Sequence, residues 1–106
     1  MDINQVMLQA QQFQKRMAEV QSEMAGRQMT SSVGGGMVTA TVNGRNELLA
    51  IKIEAEVINP NDSAMLQDLI VAGVNDAMHK AREAMQVEMR KVTGGMDIPG
   101  LSGIFG

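Results

Sequence analysis

A chain of 106 residues is long enough for one domain with a modest core, and this one sets 9 Lys and Arg against 12 Asp and Glu for a net charge of −3, with no cysteine. The missing thiols exclude disulfides and thiolate metal sites and fit a reducing cytoplasm, while the acidic balance speaks against a ligand held through its phosphates. The N-terminus has neither a basic start nor an apolar core, and no apolar run approaches the ~18 residues of a membrane span, so a soluble, unexported protein is expected. Two Phe, no Tyr, no Trp and 11 Met mean that flexible unbranched side chains, with Val, Ile, Leu and Ala, fill the core.

In chain order, Ile3, Val6, Ala10, Phe13, Met17, Val20 and Met24 recur at spacings of three and four. This narrow heptad seam predicts a helix packed along its length against another helix. Lys15 with Glu19, and Glu23 with Arg27, stand four apart on its outer side as ordinary solvated helix pairs. Gly26 ends the helix, and Gln28 to Val33 reads as a short first strand leading to the Gly34-Gly35-Gly36 turn.

From Gly34 to Val57 the chain has a two-residue period. Val38, Ala40 and Val42 alternate with Met37, Thr39 and Thr41; after Asn43-Gly44-Arg45-Asn46, Leu49, Ile51 and Ile53 alternate with Leu48, Ala50, Lys52 and Glu54. The pattern predicts a β-hairpin with one strongly apolar face per strand, its turn made by Asn43 and Gly44 as residues tolerant of positive φ. A sheet this small must be covered by the flanking sequences.

Asn59-Pro60-Asn61-Asp62-Ser63 combines a turn, a fixed φ and capping side chains, so a second helix starts there and runs to Thr93. Its first part, with Met65, Leu66, Leu69, Ile70, Val71, Ala72 and Val74, is apolar nearly all round, as expected for burial between the sheet and something else. Val71, Val74, Met78, Ala81, Met85 and Val92 then form a second heptad seam, interrupted by Glu88. A strand of about seven residues spans roughly 23 Å, whereas about 30 helical residues span roughly 45 Å. The long helix therefore overhangs the sheet, and its seam needs a partner in the first helix or in a second copy of the chain. Paired helices projecting from a shared β core, in a homodimer, are the expected architecture, with Phe13, Met17, Val20, Met78 and Met85 as seam residues. Residues 1–93 form the single domain; residues 94–106, with five Gly and Pro99, form a flexible tail.

Catalytic chemistry finds no footing. The three glycines lack the Lys-Ser/Thr of a phosphate loop and the spacing of a dinucleotide fingerprint. His79 is the only histidine, Ser31, Ser32, Ser63 and Ser102 have no evident base, and the carboxylates are helix-surface or capping residues. No enzyme activity, metal, cofactor or small-molecule substrate is expected. What remains is charge: Lys80 and Lys91 are eleven apart and within about 20° on a helix, as are His79 and Arg90, giving two adjacent cationic rows. Asp76 and Glu83 fall between those rows, and Arg82 points to a different side. The residues alone leave two readings open, a helical protein-interaction module and a DNA-binding protein.

The Gln-rich first helix QVMLQAQQFQKRMAEVQSEMA, the strands GGGMVTATVNGRNELLAIKIEAEV, the helix MLQDLIVAGVNDAMHKAREAMQVEM and the ending TGGMDIPGL together resemble the YbaB/EbfC family of bacterial nucleoid-associated proteins. The resemblance covers nearly the whole chain and rests on the order and spacing of all four pieces. It implies an α+β protomer of order α-β-β-β-α, a tweezer-like homodimer with helical arms, and binding of double-stranded DNA that organises the nucleoid and affects transcription. The family's DNA contacts are ascribed to the arms in general. Charge placement assigns them here to Lys80, Arg82, Arg90 and Lys91, with Lys15, Arg16 and Arg27 as weaker candidates. The acidic total points to salt-sensitive contacts with the phosphate backbone rather than base readout. The other reading is a dimeric adaptor that grips a protein through its Met-rich seam and apolar tail.

Overall fold

The computed structural model describes residues 2–93. Helix α1 (Ile3–Gly26) leads into strands β1 (Gln28–Val33), β2 (Val38–Asn43) and β3 (Leu48–Ile53), and two short 3-10 turns, Ala55–Val57 and Pro60–Asp62, precede helix α2 (Ser63–Thr93). The fold is α+β, with a three-stranded antiparallel meander in the order β1-β2-β3. The expected tail, residues 94–106, lies outside the described residues.

Local chemistry explains where the elements begin and turn. The Asp2 carboxylate accepts the Asn4 N–H at 3.1 Å and caps α1, and Arg27 closes its other end with an N–H bond to the Met24 carbonyl at 3.2 Å. Between β1 and β2, Gly34, Gly35 and Gly36 take φ values of 63°, 69° and 93°, a run that side-chain-bearing residues would strain to follow. The β2–β3 turn differs from expectation. Its positive φ falls on Asn46, at 65°, not on Gly44. Gly44 is needed for closeness instead: its N–H donates to the Met24 carbonyl at 2.8 Å, and a Cβ built there would lie 2.5 Å from that oxygen. A bulge between Thr41 and Val42 then sets Leu48, rather than Leu49, opposite Val42, because β3 carries one extra residue at that point.

α2 lies across β1 and β2. Small residues let it sit close: Ala77 and Ala81 cluster with Ala40 and Val42, all at most 1% exposed, and Gly73 faces Val33, Val38 and Ala40. The polar residue in this face is Ser31, whose hydroxyl donates to the Asp76 carboxylate, so its burial leaves no orphan group. β3 is left largely uncovered. Ile51 stands opposite Ala40 and hence on the same face, yet remains 37% exposed. Sequence periodicity predicts that the start of α2 is enclosed on all sides; here Met65 and Val71 stay exposed, because one sheet covers one side of a helix.

Beyond the sheet, α2 meets α1. Val20, Met24, Met89 and Val92 form a second buried cluster, flanked by Phe13, Met17, Met29, Ala84 and Met85. Since α1 ends at Gly44 and α2 departs from there, the two helices run antiparallel as an arm. Met89 rather than Glu88 enters the seam, and the molecule reaches 69 × 24 × 17 Å, far from the ~13 Å radius of gyration of a compact chain this size at 19.3 Å.

Candidate nucleic-acid interface

The arm carries the cations singled out by the sequence, and the fold divides them into two groups. Lys80 belongs to the first. Its ammonium donates to the Thr30 carbonyl at 3.1 Å and stands 3.8 Å from the Asp76 carboxylate, which already accepts from Ser31. Lys80 thus closes α2 onto β1, although nearly half of its side chain is still exposed. Lys91 and Arg27 converge on one carboxylate. Glu88 accepts from Lys91 at 3.2 Å and lies 3.5 Å from Arg27, and its side chain is only 19% exposed. This explains an acid in the seam register: it neutralises a cation from each end of the arm's packed segment. The expected Glu23–Arg27 pair does not form, because Arg27 caps α1 from outside the last helical turn. His79 pairs with Glu83 at 3.1 Å.

Lys15, Arg16, Arg82 and Arg90 make up the second group. All four are exposed, and among the described residues none has a carboxylate within 4 Å. Arg82 and Arg90 are eight residues apart on α2, about 80° around the helix. Arg90, with Lys91, also occupies the last turn of α2, where a cation complements the helix dipole. Of the expected seam residues, Val20 is buried, while Phe13, Met17 and Met85 are half-buried around its cluster. Met78 packs against the sheet cluster instead.

Two further exposed cations escape the sequence reading, Lys52 on β3 and Arg45 in the β2–β3 turn. Lys52 stands opposite Thr39, on the sheet face away from α2. That face carries a row of hydroxyls, with Ser32 and Thr39 at 2.7 Å and Thr30 and Thr41 at 3.4 Å. The strand alternation that places Val38 and Ala40 inward also places Lys52 outward, which is the signal that could have marked it. Among the described residues no three His, Asp or Glu come together as a metal site, and no helix is long and apolar enough to cross a membrane.

The profile of the YbaB/EbfC DNA-binding family matches residues 1–96, the arm and the sheet alike. The chain belongs to this family. Among curated proteins it is 49% identical over 100 residues to a nucleoid-associated protein of Clostridium acetobutylicum, covering 94% of this chain and 89% of that one. A nucleoid-associated protein of Desulfotalea psychrophila is 46% identical over 102 residues, covering 96% of each chain. Among solved structures, an uncharacterized protein of Helicobacter pylori superposes with a TM-score of 0.72 at 23% identity, over 91% of this chain and 97% of that one. That likeness shows the fold alone: a helix, a three-stranded antiparallel meander and a long C-terminal helix.

Proposed function

We propose that this protein binds duplex DNA through the backbone, as a homodimer in the cytoplasm, and helps organise the nucleoid, with an effect on transcription as a consequence. The observation that carries the reading is the match of a DNA-binding family over residues 1–96; the nucleoid-associated names of the relatives agree with it. For the dimer, the support is apolar surface without a cover: Leu48 and Ile51 on the uncovered strand, and Met65 and Val71 on α2, are 37–58% exposed. A lone sheet edge of this kind is ordinarily paired or protected.

For the contacts, the candidate set is Lys15, Arg16, Arg27, Lys80, Arg82, Arg90 and Lys91. Within it the ion pairs set an order. Lys15, Arg16, Arg82 and Arg90 lead, because binding a phosphate breaks no pair they already hold. Lys80, Lys91 and Arg27 follow, since each would share or abandon a carboxylate. Phosphate contacts position a protein without reading sequence, and each releases counterions.

Fluorescence anisotropy on two unrelated duplexes across a salt series tests both parts. In a dimer, Arg82→Ala with Arg90→Ala removes about four contacts, so the slope of log affinity against log salt should fall by roughly 3.6 from ~0.9 per phosphate, equally on both duplexes. Lys80→Ala with Lys91→Ala should lower it by less. If the double Arg variant keeps its fold and the parent slope, the arm assignment is wrong. If the parent binds neither duplex at low salt, the adaptor reading replaces this one.

A further inference from the structure

The apolar row of α1 runs past the part of the helix that is covered. Phe13, Met17, Val20 and Met24 belong to the cluster shared with α2, and Ile3, Val6 and Ala10 continue the same row at spacings of three and four. Every residue from Ile3 to Gln12 is exposed, with Ile3 at 74%, Val6 at 44% and the flanking Met7 at 56%. A helical stretch this short is marginal in water unless it packs on something. Charge narrows the choice of what packs there. Residues 3–14 hold no Asp, Glu, Lys or Arg, so a phosphate backbone finds no cation on this stretch and a charged protein surface finds no counterpart.

We propose that the occupant is the same segment of a second copy, docked antiparallel over residues 3–13 of α1. The row is self-complementary in that arrangement. With Ile3 set opposite Phe13, Val6 falls opposite Ala10, and the two-fold axis repeats both contacts across the pair. Met7 of each copy then flanks the axis on one side and Gln9 on the other. Asp2 and Arg16 lie on one flank of the row, fourteen positions apart, and the register brings Arg16 within about 3 Å, along the helix axis, of Asp2 of the partner subunit. Among the described residues Arg16 has no carboxylate within 4 Å in its own chain, so that pair displaces none it already holds. The contact is separate from the uncovered β3 edge and continues the α1–α2 seam already in the fold. Residues 3–13 on each side bury well below the ~1,200 Å² of a stable interface, so the contact is weak and acts where copies are crowded. Copies bound along one duplex meet that condition through a raised local concentration; this consequence rests on the DNA-binding reading, whereas the contact itself does not.

The chain has no cysteine, so single engineered thiols in the full-length protein read the register. A concentrated, mildly oxidised mixture of Val6→Cys and Ala10→Cys proteins should form disulfides between the two variants at least about fivefold faster than either variant forms them alone, because only the 6–10 pairing brings Cα atoms near the ~5.5–6 Å that a disulfide spans. Leu8→Cys, on the outward side of the same helix, should cross-link no faster than either variant alone. Sedimentation without DNA supplies the second reading. The average mass of the parent should rise with concentration, and Val6→Asp, with unchanged circular dichroism, should abolish the rise while leaving the mass in dilute solution as it was. That dilute mass reports the dimer inferred from the β3 side separately, so the failure of one contact is not mistaken for failure of the other. Faster links within the Val6→Cys or Ala10→Cys samples than in their mixture would mean a parallel pairing. A mass that does not rise, or that rises equally in Val6→Asp, would mean that another protein or another segment of the same chain covers the row. Each of these results overturns the antiparallel contact.

Discussion

Along α2, Gly73, Ala77 and Ala81 meet the sheet, and about one to three turns beyond Ala81 Met85, Met89 and Val92 meet α1. The first contact is made by the smallest side chains, set against Ala40 and Val42, with residual exposure of 0–1%. The second is made by long, unbranched ones, and Phe13, Met17 and Met85 around it stay half-buried. Small residues fix the distance between helix and sheet, because they have no rotamers with which to adapt; methionines fill a gap of whatever shape the two helices leave. One helix thus belongs to a base with narrow steric tolerance and to an arm with wide tolerance. In a family that binds DNA, the half that carries Arg82 and Arg90 is the tolerant one.

A charge placed in each half breaks this comparison most forcefully. Ala77→Asp buries a carboxylate between α2 and the sheet with no partner prepared for it, at a cost of several kcal/mol. That is comparable with the whole stability of a domain, about 5–15 kcal/mol, so urea unfolding followed by circular dichroism should show little folded protein. Met85→Asp lies at the half-exposed margin of the arm, where the carboxylate can turn to water, and should lose clearly less. Equal losses would mean that arm and base are packed alike.

A smaller effect is expected at the joint between the halves. Gly44 donates to the carbonyls of Met24 and Arg27 at 2.8 and 3.0 Å and so ties the end of α1 to the sheet. In Gly44→Ala the new Cβ would meet the Met24 carbonyl at 2.5 Å and its Cβ at 2.7 Å. Backbone cannot give way as a side-chain tip can, so a loss of about 1–3 kcal/mol is expected. Protease nicking near Gly26 should rise with it, since the arm is then less firmly seated. Unchanged stability and unchanged nicking would show that the joint is not where the arm is held.

The sequence makes the regular parts of this fold legible and hides the contacts between them. Period-two alternation marks β2 and β3, and three-four spacing marks α1, because both depend only on neighbours in the chain. Gly44 misleads, since an Asn-Gly pair suits a tight turn through its φ, whereas here the need comes from Met24, a residue in another element. Met89 is hidden by the heptad phase, which assigns the seam position to Glu88; the helix instead uses Met85, Met89 and Val92, and Glu88 turns to Arg27 and Lys91. The cations show the same limit. Lys80 has a carbonyl partner fifty residues away in β1, and no spacing rule on α2 could distinguish it from Arg82 or Arg90.

The smallest expected effect is a gain, and it sharpens the difference between contact that is close and contact that is too close. Gly73 is buried in the middle of α2, where a glycine weakens a helix by roughly 0.5–1 kcal/mol relative to alanine. A Cβ added there would lie 3.4 Å from Val33 Cγ2, 3.6 Å from Val38 Cγ1 and 3.9 Å from the Ala40 Cβ, all side-chain atoms at ordinary contact distance. Gly73→Ala should therefore keep the base as it is and raise stability by about 0.5 kcal/mol, read as a higher urea midpoint with an unchanged slope. Gly73→Val carries two more methyl groups into the same space and should reverse the sign. If Gly73→Ala is itself destabilising, the base has even less tolerance than its distances indicate; if Gly73→Val is neutral, the sheet and helix can separate, and the contrast with the arm disappears.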